Sequence, residues 1–250
     1  MQLFRSILSR RMLALILCAV LISVNAFTSV KVFAKVCTNQ PAFRCTANKQ
    51  AEADQAHNND LAITAKAAVL IDNASGRILY AKNKDKKLIP ASITKIMTLL
   101  LIFESIEQGK CKLEDKVTVS EYAASMGGSQ VFLEPGETQD VNTMIKCISI
   151  ASANDAAVAM AEHLAGSEQS FVKRMNKKAK ALGMKHTHFK NCNGLDDSIE
   201  SGHYSSAYDV ALMSQSLVSK YPDISKYSTV WMGEWVIQSE HCEIIPASLA

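Results

Sequence analysis

Apolar and polar positions change period several times along this chain, and each change marks an element. Ala67-Ala68-Val69-Leu70-Ile71 is an apolar run short enough for a buried strand, with Arg77-Ile78-Leu79-Tyr80 as its partner. Asp72-Asn73-Ala74-Ser75-Gly76 between them supplies turn chemistry, so the pair predicts a hairpin. From Ala91 to Gln108 the apolar residues recur at helical spacing, with Pro90 at the entry and Gly109 at the exit. Val117-Thr118-Val119 predicts a short strand, and Ser120 with Glu121 a helix start. Glu134-Pro135-Gly136-Glu137 reads as a turn. Helical patterns then run from Val141 to Ile150, from Asp155 to Leu164, and from a Ser167 cap to Leu182. Ser206 and Asp209 form a capping-box-like start for a last helix through Val218, and the tail should return to strand.

The N-terminus carries a different pattern. Arg5, Arg10 and Arg11 precede an apolar run from Met12 to Val24, and small residues follow. A basic segment, a short apolar segment and an Ala-x-Ala-like end predict a secretory signal peptide over residues 1–34. Residues 35–60 are rich in Ala, Asn, Gln and Lys without apolar period and read as a flexible linker. Export places the protein outside the cytoplasm, in the cell envelope, with membrane contact only through the signal segment. Six cysteines follow Cys18, and their spacings match no metal framework. A Cys37–Cys45 bridge is chemically possible in an exported chain, and Cys147 reads as core filler. His186 and His188, with His203 nearby in sequence, could suggest a metal site, but the alternation fits a short strand with one solvent face better. With 20% charged residues and net charge +3, nothing suggests a nucleic-acid partner.

Chemistry enters at Ser92-Ile93-Thr94-Lys95. An i, i+3 spacing puts both side chains on one helix face, and Pro90 puts them in the first turn. There, unpaired N–H groups and the macrodipole favour an alkoxide on serine and a neutral amine on lysine. Burial by Ile93, Ile96, Met97, Leu99 and Leu100 would lower the Lys95 pKa further, so that the amine can act as base for the serine. A second Ser-x-x-Lys, Ser170 to Lys173, lies inside a basic helical pattern and reads as solvated charge. Ser152-Ala153-Asn154 falls in the break between two helices, a rigid platform for a proton-relaying serine and an amide-binding asparagine. Either residue also serves as an ordinary helix cap.

Ile89-Pro90-Ala91-Ser92-Ile93-Thr94-Lys95-Ile96-Met97-Thr98 closely resembles the nucleophile region of D-alanyl-D-alanine carboxypeptidases, the low-molecular-mass penicillin-binding proteins. Val131 to Gly136, Ser152 to Ala156, Asn193 to Asp196 and His203 to Asp209 resemble the segments that follow it. The resemblance implies a β-lactamase/transpeptidase-like α+β fold: an antiparallel sheet flanked by helices, with an all-helical subregion, over residues 61–232. It implies that Ser92 attacks the peptide bond between two D-alanines of a peptidoglycan stem peptide, with Lys95 as general base. Ser152 would relay a proton and Asn154 would hold the substrate. An acyl-enzyme would form and be hydrolysed, β-lactam antibiotics would acylate the same serine, and no metal or organic cofactor is needed.

The family's third motif, Lys-Thr/Ser-Gly, does not occur between Asn154 and Ala250, and residues 233–250 depart from the family pattern. The expectation is a truncated or frame-shifted product with an incomplete sheet. The triplet's strand carries a substrate anchor and one oxyanion donor, and one such donor is worth about 10²–10³ in rate. Its loss would leave the Ala67–Tyr80 hairpin with an open, apolar face. Two alternatives to a carboxypeptidase follow. One is an inactive penicillin- or wall-peptide-binding fragment. The other is a class A β-lactamase, which would want Ser-Asp-Asn where this chain has Ser152-Ala153-Asn154.

Overall fold

The computed structural model describes residues 62–195 and 201–230, together with the backbone of 232–236 and 242–246. The signal segment, the linker, Cys37 and Cys45 lie outside the described residues. No helix among the described residues is long and apolar enough to cross a membrane.

The described residues open with β1 (Ala68–Ile71) and β2 (Ile78–Lys82), paired antiparallel from Ala68 opposite Lys82 to Ile71 opposite Ile78, with an irregularity after Leu70. The predicted turn closes this hairpin: Asp72 Oδ1 accepts the Ser75 N–H, and Gly76 takes φ +71°. Leu70 and Leu79 are 55% and 41% exposed, so the hairpin presents apolar surface outward. A 3-10 turn, Ala91–Thr94, leads into α1 (Lys95–Glu107). The sequence predicts one continuous helix from Ala91. Instead Ala91 takes a positive φ of 47°, and the first turn winds tighter before the α-helix starts.

Helix α1 is buried nearly all round, with Met97, Leu99, Leu100, Leu101, Ile102 and Phe103 all inside. A helix apolar on every side belongs at a domain's centre. Each such side chain contributes about 1.5–3 kcal/mol of transfer free energy. Ile93, expected to help bury it, is 47% exposed.

Strands β3 (Lys116–Thr118) and β4 (Thr138–Asp140) pair antiparallel, with the short helix α2 (Glu121–Ala124) between them, capped by Ser120. Helices α3 (Val141–Ile150), α4 (Asn154–Ala165) and α5 (Glu168–Ala181) follow, and α3, α4 and α5 all pack on α1. Asp140 and Ser167 cap α3 and α5 through their side chains, and Gly166 ends α4 at φ +75°. Helix α6 (Ala207–Lys220) starts at its Ser206 cap and packs on α1 and β1. The reciprocal half of the expected capping box is absent, because the buried Asp209 carboxylate instead accepts from the His186 N–H and the Thr187 hydroxyl. After the short α7 (Ser225–Ser228), strands β5 (Met232–Val236) and β6 (Cys242–Pro246) pair with each other in a sheet of their own. Cys111, Cys147 and Cys192 are buried free thiols.

Candidate functional site

The 3-10 turn and the first residues of α1 bring Ser92 and Lys95 together as the spacing predicts: Lys95 Nζ lies 3.2 Å from Ser92 Oγ. The amine is almost wholly buried, at 3% exposure. Burial pushes it down to about 8, against the opposing pull of Cys192 and Asp155. Its other two partners are carbonyl oxygens, Asn154 Oδ1 at 2.6 Å and the Asn193 backbone at 2.8 Å. A neutral amine has two N–H bonds and one lone pair. Two carbonyls can take only the N–H bonds, which turns the lone pair toward the Ser92 hydroxyl.

Asn154 is the first residue of α4 rather than its cap. Its backbone N–H donates to the Ser129 carbonyl, and its side-chain Nδ2 donates to the Gly127 carbonyl at 2.7 Å. With Oδ1 on Lys95, the amide is held at both ends, and its second N–H has no hydrogen-bond partner among the described residues. Gly128, at φ +73°, passes so close that a Cβ there would lie 2.9 Å from Asn154 Nδ2. Ser152 sits in the expected break between α3 and α4, in the left-handed region at φ 54°. It makes no hydrogen bond to Ser92 or Lys95 among the described residues. Strained backbone of this kind collects at functional sites, and Ala91 repeats it on the nucleophile side.

Next to Asn154, the carboxylate of Asp155 is fully buried and accepts the N–H groups of Val131, Leu133 and Ala156. Burial raises its pKa, and these N–H groups work against that rise. Both neighbours of Phe132 are thereby pinned inward, and Phe132 turns out at φ 57°, 60% exposed.

Two supports lie in segments that the sequence resemblance covered without giving them a role at the site. The first is the loop Asn191–Leu195. Asn193 supplies the carbonyl on Lys95, and Thr98 on α1 donates to the Cys192 carbonyl. Gly194, at φ +85°, passes so near the nucleophile turn that a Cβ would fall 1.8 Å from the Ala91 oxygen. The dense Asn-Cys-Asn-Gly composition was the available signal, since short polar residues and glycine build tight loops. The second support is His203. Its Nδ1 accepts the Lys190 N–H at 3.1 Å, so the ring proton sits on Nε2, which faces Thr94 Oγ1 at 2.9 Å. Thr94 lies between Ser92 and Lys95, so the imidazole braces the turn from beneath. The three histidines do not converge: His186 faces Asp85, and His188 bonds the Gly202 carbonyl.

The second Ser-x-x-Lys is confined to α5, where Ser170 bonds the Ser167 hydroxyl and Lys173 is exposed. An apolar groove of about 370 Å³ opens beside the nucleophile turn, lined by Val69, Ile89, Pro90, Ile93 and Val210 among others.

The family model Peptidase_S11, D-alanyl-D-alanine carboxypeptidase, matches residues 50–242. The D-alanyl-D-alanine carboxypeptidase DacF of Bacillus subtilis is 57% identical over 178 residues, which cover 71% of this chain and 45% of DacF. Penicillin binding protein 5 of Haemophilus influenzae shares the fold with a TM-score of 0.67 at 34% identity, over 74% of this chain and 52% of that one. Penicillin-Binding Protein D2 of Listeria monocytogenes, solved in an ampicillin-bound form, aligns with a TM-score of 0.64 at 26% identity, over 75% of this chain and 74% of that one. The chain thus spans a little under half the length of DacF.

Proposed function

Because this chain belongs to the D-alanyl-D-alanine carboxypeptidase family, Peptidase_S11, we propose that Ser92 is the nucleophile of a serine acyl-transfer site acting on peptidoglycan stem peptides that end in D-Ala-D-Ala. The observation that carries the reading is the set of partners around Lys95 Nζ: two carbonyls take its N–H bonds and the Ser92 hydroxyl faces what is left. That arrangement supports general-base catalysis by a lysine that is neutral in a useful fraction at mildly alkaline pH.

In the proposed cycle Lys95 accepts the Ser92 proton as Oγ attacks the carbonyl between the two D-alanines. Negative charge develops on the carbonyl oxygen at the start of the turn, where backbone N–H groups without intrahelical acceptors cluster. Ser152, on its strained loop, passes a proton to the departing D-alanine amine and takes one in turn from Lys95, which is thereby neutral again for the second step. The remaining Asn154 N–H holds the substrate amide. Water then releases the acyl group from Ser92. A β-lactam ring meets the same hydroxyl and stays as an acyl adduct. The Met12–Val24 segment supports export, so the site would work in the cell envelope.

The test is labelling of the purified chain with a fluorescent penicillin, alongside D-alanine release from a stem-peptide analogue. Ser92→Ala should abolish both. Labelling without release would leave a penicillin binder rather than a hydrolase, and labelling that survives Ser92→Ala refutes the assignment of the nucleophile.

A further inference from the structure

Three side chains that can ligate a metal meet outside the Ser92 site, and no step above uses them. Cys111 and Asp115 belong to the turn that follows α1, and His163 lies in the last turn of α4. Their donor atoms, a thiol sulfur, a carboxylate oxygen and an imidazole nitrogen, all lie within 4.8 Å of one another. Cys111 is buried, Asp115 half-buried and His163 exposed, so the cluster is seated inside and open at its rim.

We propose that Cys111, Asp115 and His163 bind a divalent transition-metal ion, zinc by preference, with water as a fourth ligand. The donor set makes the selection. Calcium and magnesium take oxygen ligands, whereas one thiolate, one imidazole and one carboxylate suit a borderline-soft, tetrahedral ion. Ligands around such an ion stand about 3.5 Å apart, given metal–ligand distances of about 2.0–2.3 Å. Closing the cluster to that size takes about 1 Å of movement, shared among three side chains of which two reach the surface.

The neighbouring hydrogen bonds suit the role. Asp115 Oδ2 accepts the Lys112 N–H at 2.8 Å, which orients the carboxylate and leaves Oδ1 available. Cys111 Sγ now donates to the Lys112 carbonyl at 3.6 Å. On metal binding that S–H bond breaks, the sulfur binds as thiolate and one proton leaves to solvent. No electron moves, so no oxidant or reductant is required.

The placement also says what the ion would do. It ties the turn after α1 to the far end of α4, and these two helices present Lys95 and Asn154 at their opposite ends. A metal there clamps the two halves of the candidate site in register without touching it. The proposal does not depend on the acyl-transfer reading, since its readouts are spectroscopic and thermal.

The experiment is a Co²⁺ titration of the reduced, chelator-stripped full chain, followed by absorption. Thiolate-to-cobalt charge-transfer bands with tetrahedral d–d bands are expected, displaced by Zn²⁺. Cys111→Ser should lose the charge-transfer bands, while a Cys37→Ser/Cys45→Ser chain keeps them. His163→Ala, at an exposed position that should not disturb folding, should weaken cobalt binding by more than the 10–100-fold typical of losing an outer partner, roughly. Zinc should raise the thermal midpoint of the wild type and not that of Cys111→Ser. No charge-transfer bands in the wild type, or bands that survive Cys111→Ser, overturn the proposal, as does unchanged affinity in His163→Ala.

Discussion

Replacing Gly194 by alanine separates backbone strain from displacement of the nucleophile. Gly194 sits at φ +85°, and its missing Cβ would fall 1.8 Å from the Ala91 oxygen, 2.4 Å from the Ala91 carbonyl carbon and 3.0 Å from the Ser92 nitrogen. Ordinary contact begins at 3.4 Å, so the two backbones must part by about 1.6 Å. The atoms in the way belong to the peptide group that carries Ser92 and cannot rotate aside. A misplacement of about 1 Å at a reacting group costs on the order of 10²-fold in rate. Labelling of Gly194→Ala by fluorescent penicillin should therefore slow by at least that factor. Gly136→Ala is the matched control: it has a similar φ of +83° but open space around the new Cβ. It should show the left-handed cost of about 1–2 kcal/mol in urea unfolding and label at the wild-type rate. Wild-type labelling of Gly194→Ala, or equal losses in both variants, would refute the argument that this loop sets the position of Ser92.

Other outcomes follow from the same geometry. Labelling should rise with pH through about 8 and then level, as Lys95 loses its proton; a flat or falling profile counts against the lysine base. Because the folded pKa is lowered, the unfolded chain holds the extra proton between about 8 and the ordinary 10.5. The stability cost, roughly 3 kcal/mol, is therefore fully present below that window and disappears as pH rises through it, which urea melts at several pH values would show. Asp155→Ala leaves the buried Val131 and Leu133 N–H groups without their acceptor, at about 1–3 kcal/mol each; a urea midpoint shift no larger than a surface substitution's would contradict this. His203→Ala should slow labelling through loss of the Thr94 brace, and His203→Gln, which keeps a donor at that end, should restore part of the rate. Equal rates in the two variants would remove the bracing role.

The elements were legible in the sequence where local chemistry decides them. Turn residues at Asp72 to Gly76, side-chain caps at Ser120, Ser167 and Ser206, and glycine stops at Gly166 and Gly183 mark boundaries close to those observed. The proximity of Ser92 to Lys95 was equally legible, because an i, i+3 relation is local and survives the change from an α turn to the 3-10 turn observed. What the sequence could not decide was which distant groups complete that pair. The carbonyls of Asn154 and Asn193, the Gly194 contact and the His203 brace come from segments far along the chain, brought in by the burial of α1. Even the carboxylate of Asp209, expected to cap its own helix, was diverted to His186 and Thr187 by tertiary packing. Periodicity and capping act over a few residues. The pKa of a buried amine and the aim of its lone pair depend on whatever the fold places within about 3 Å of it.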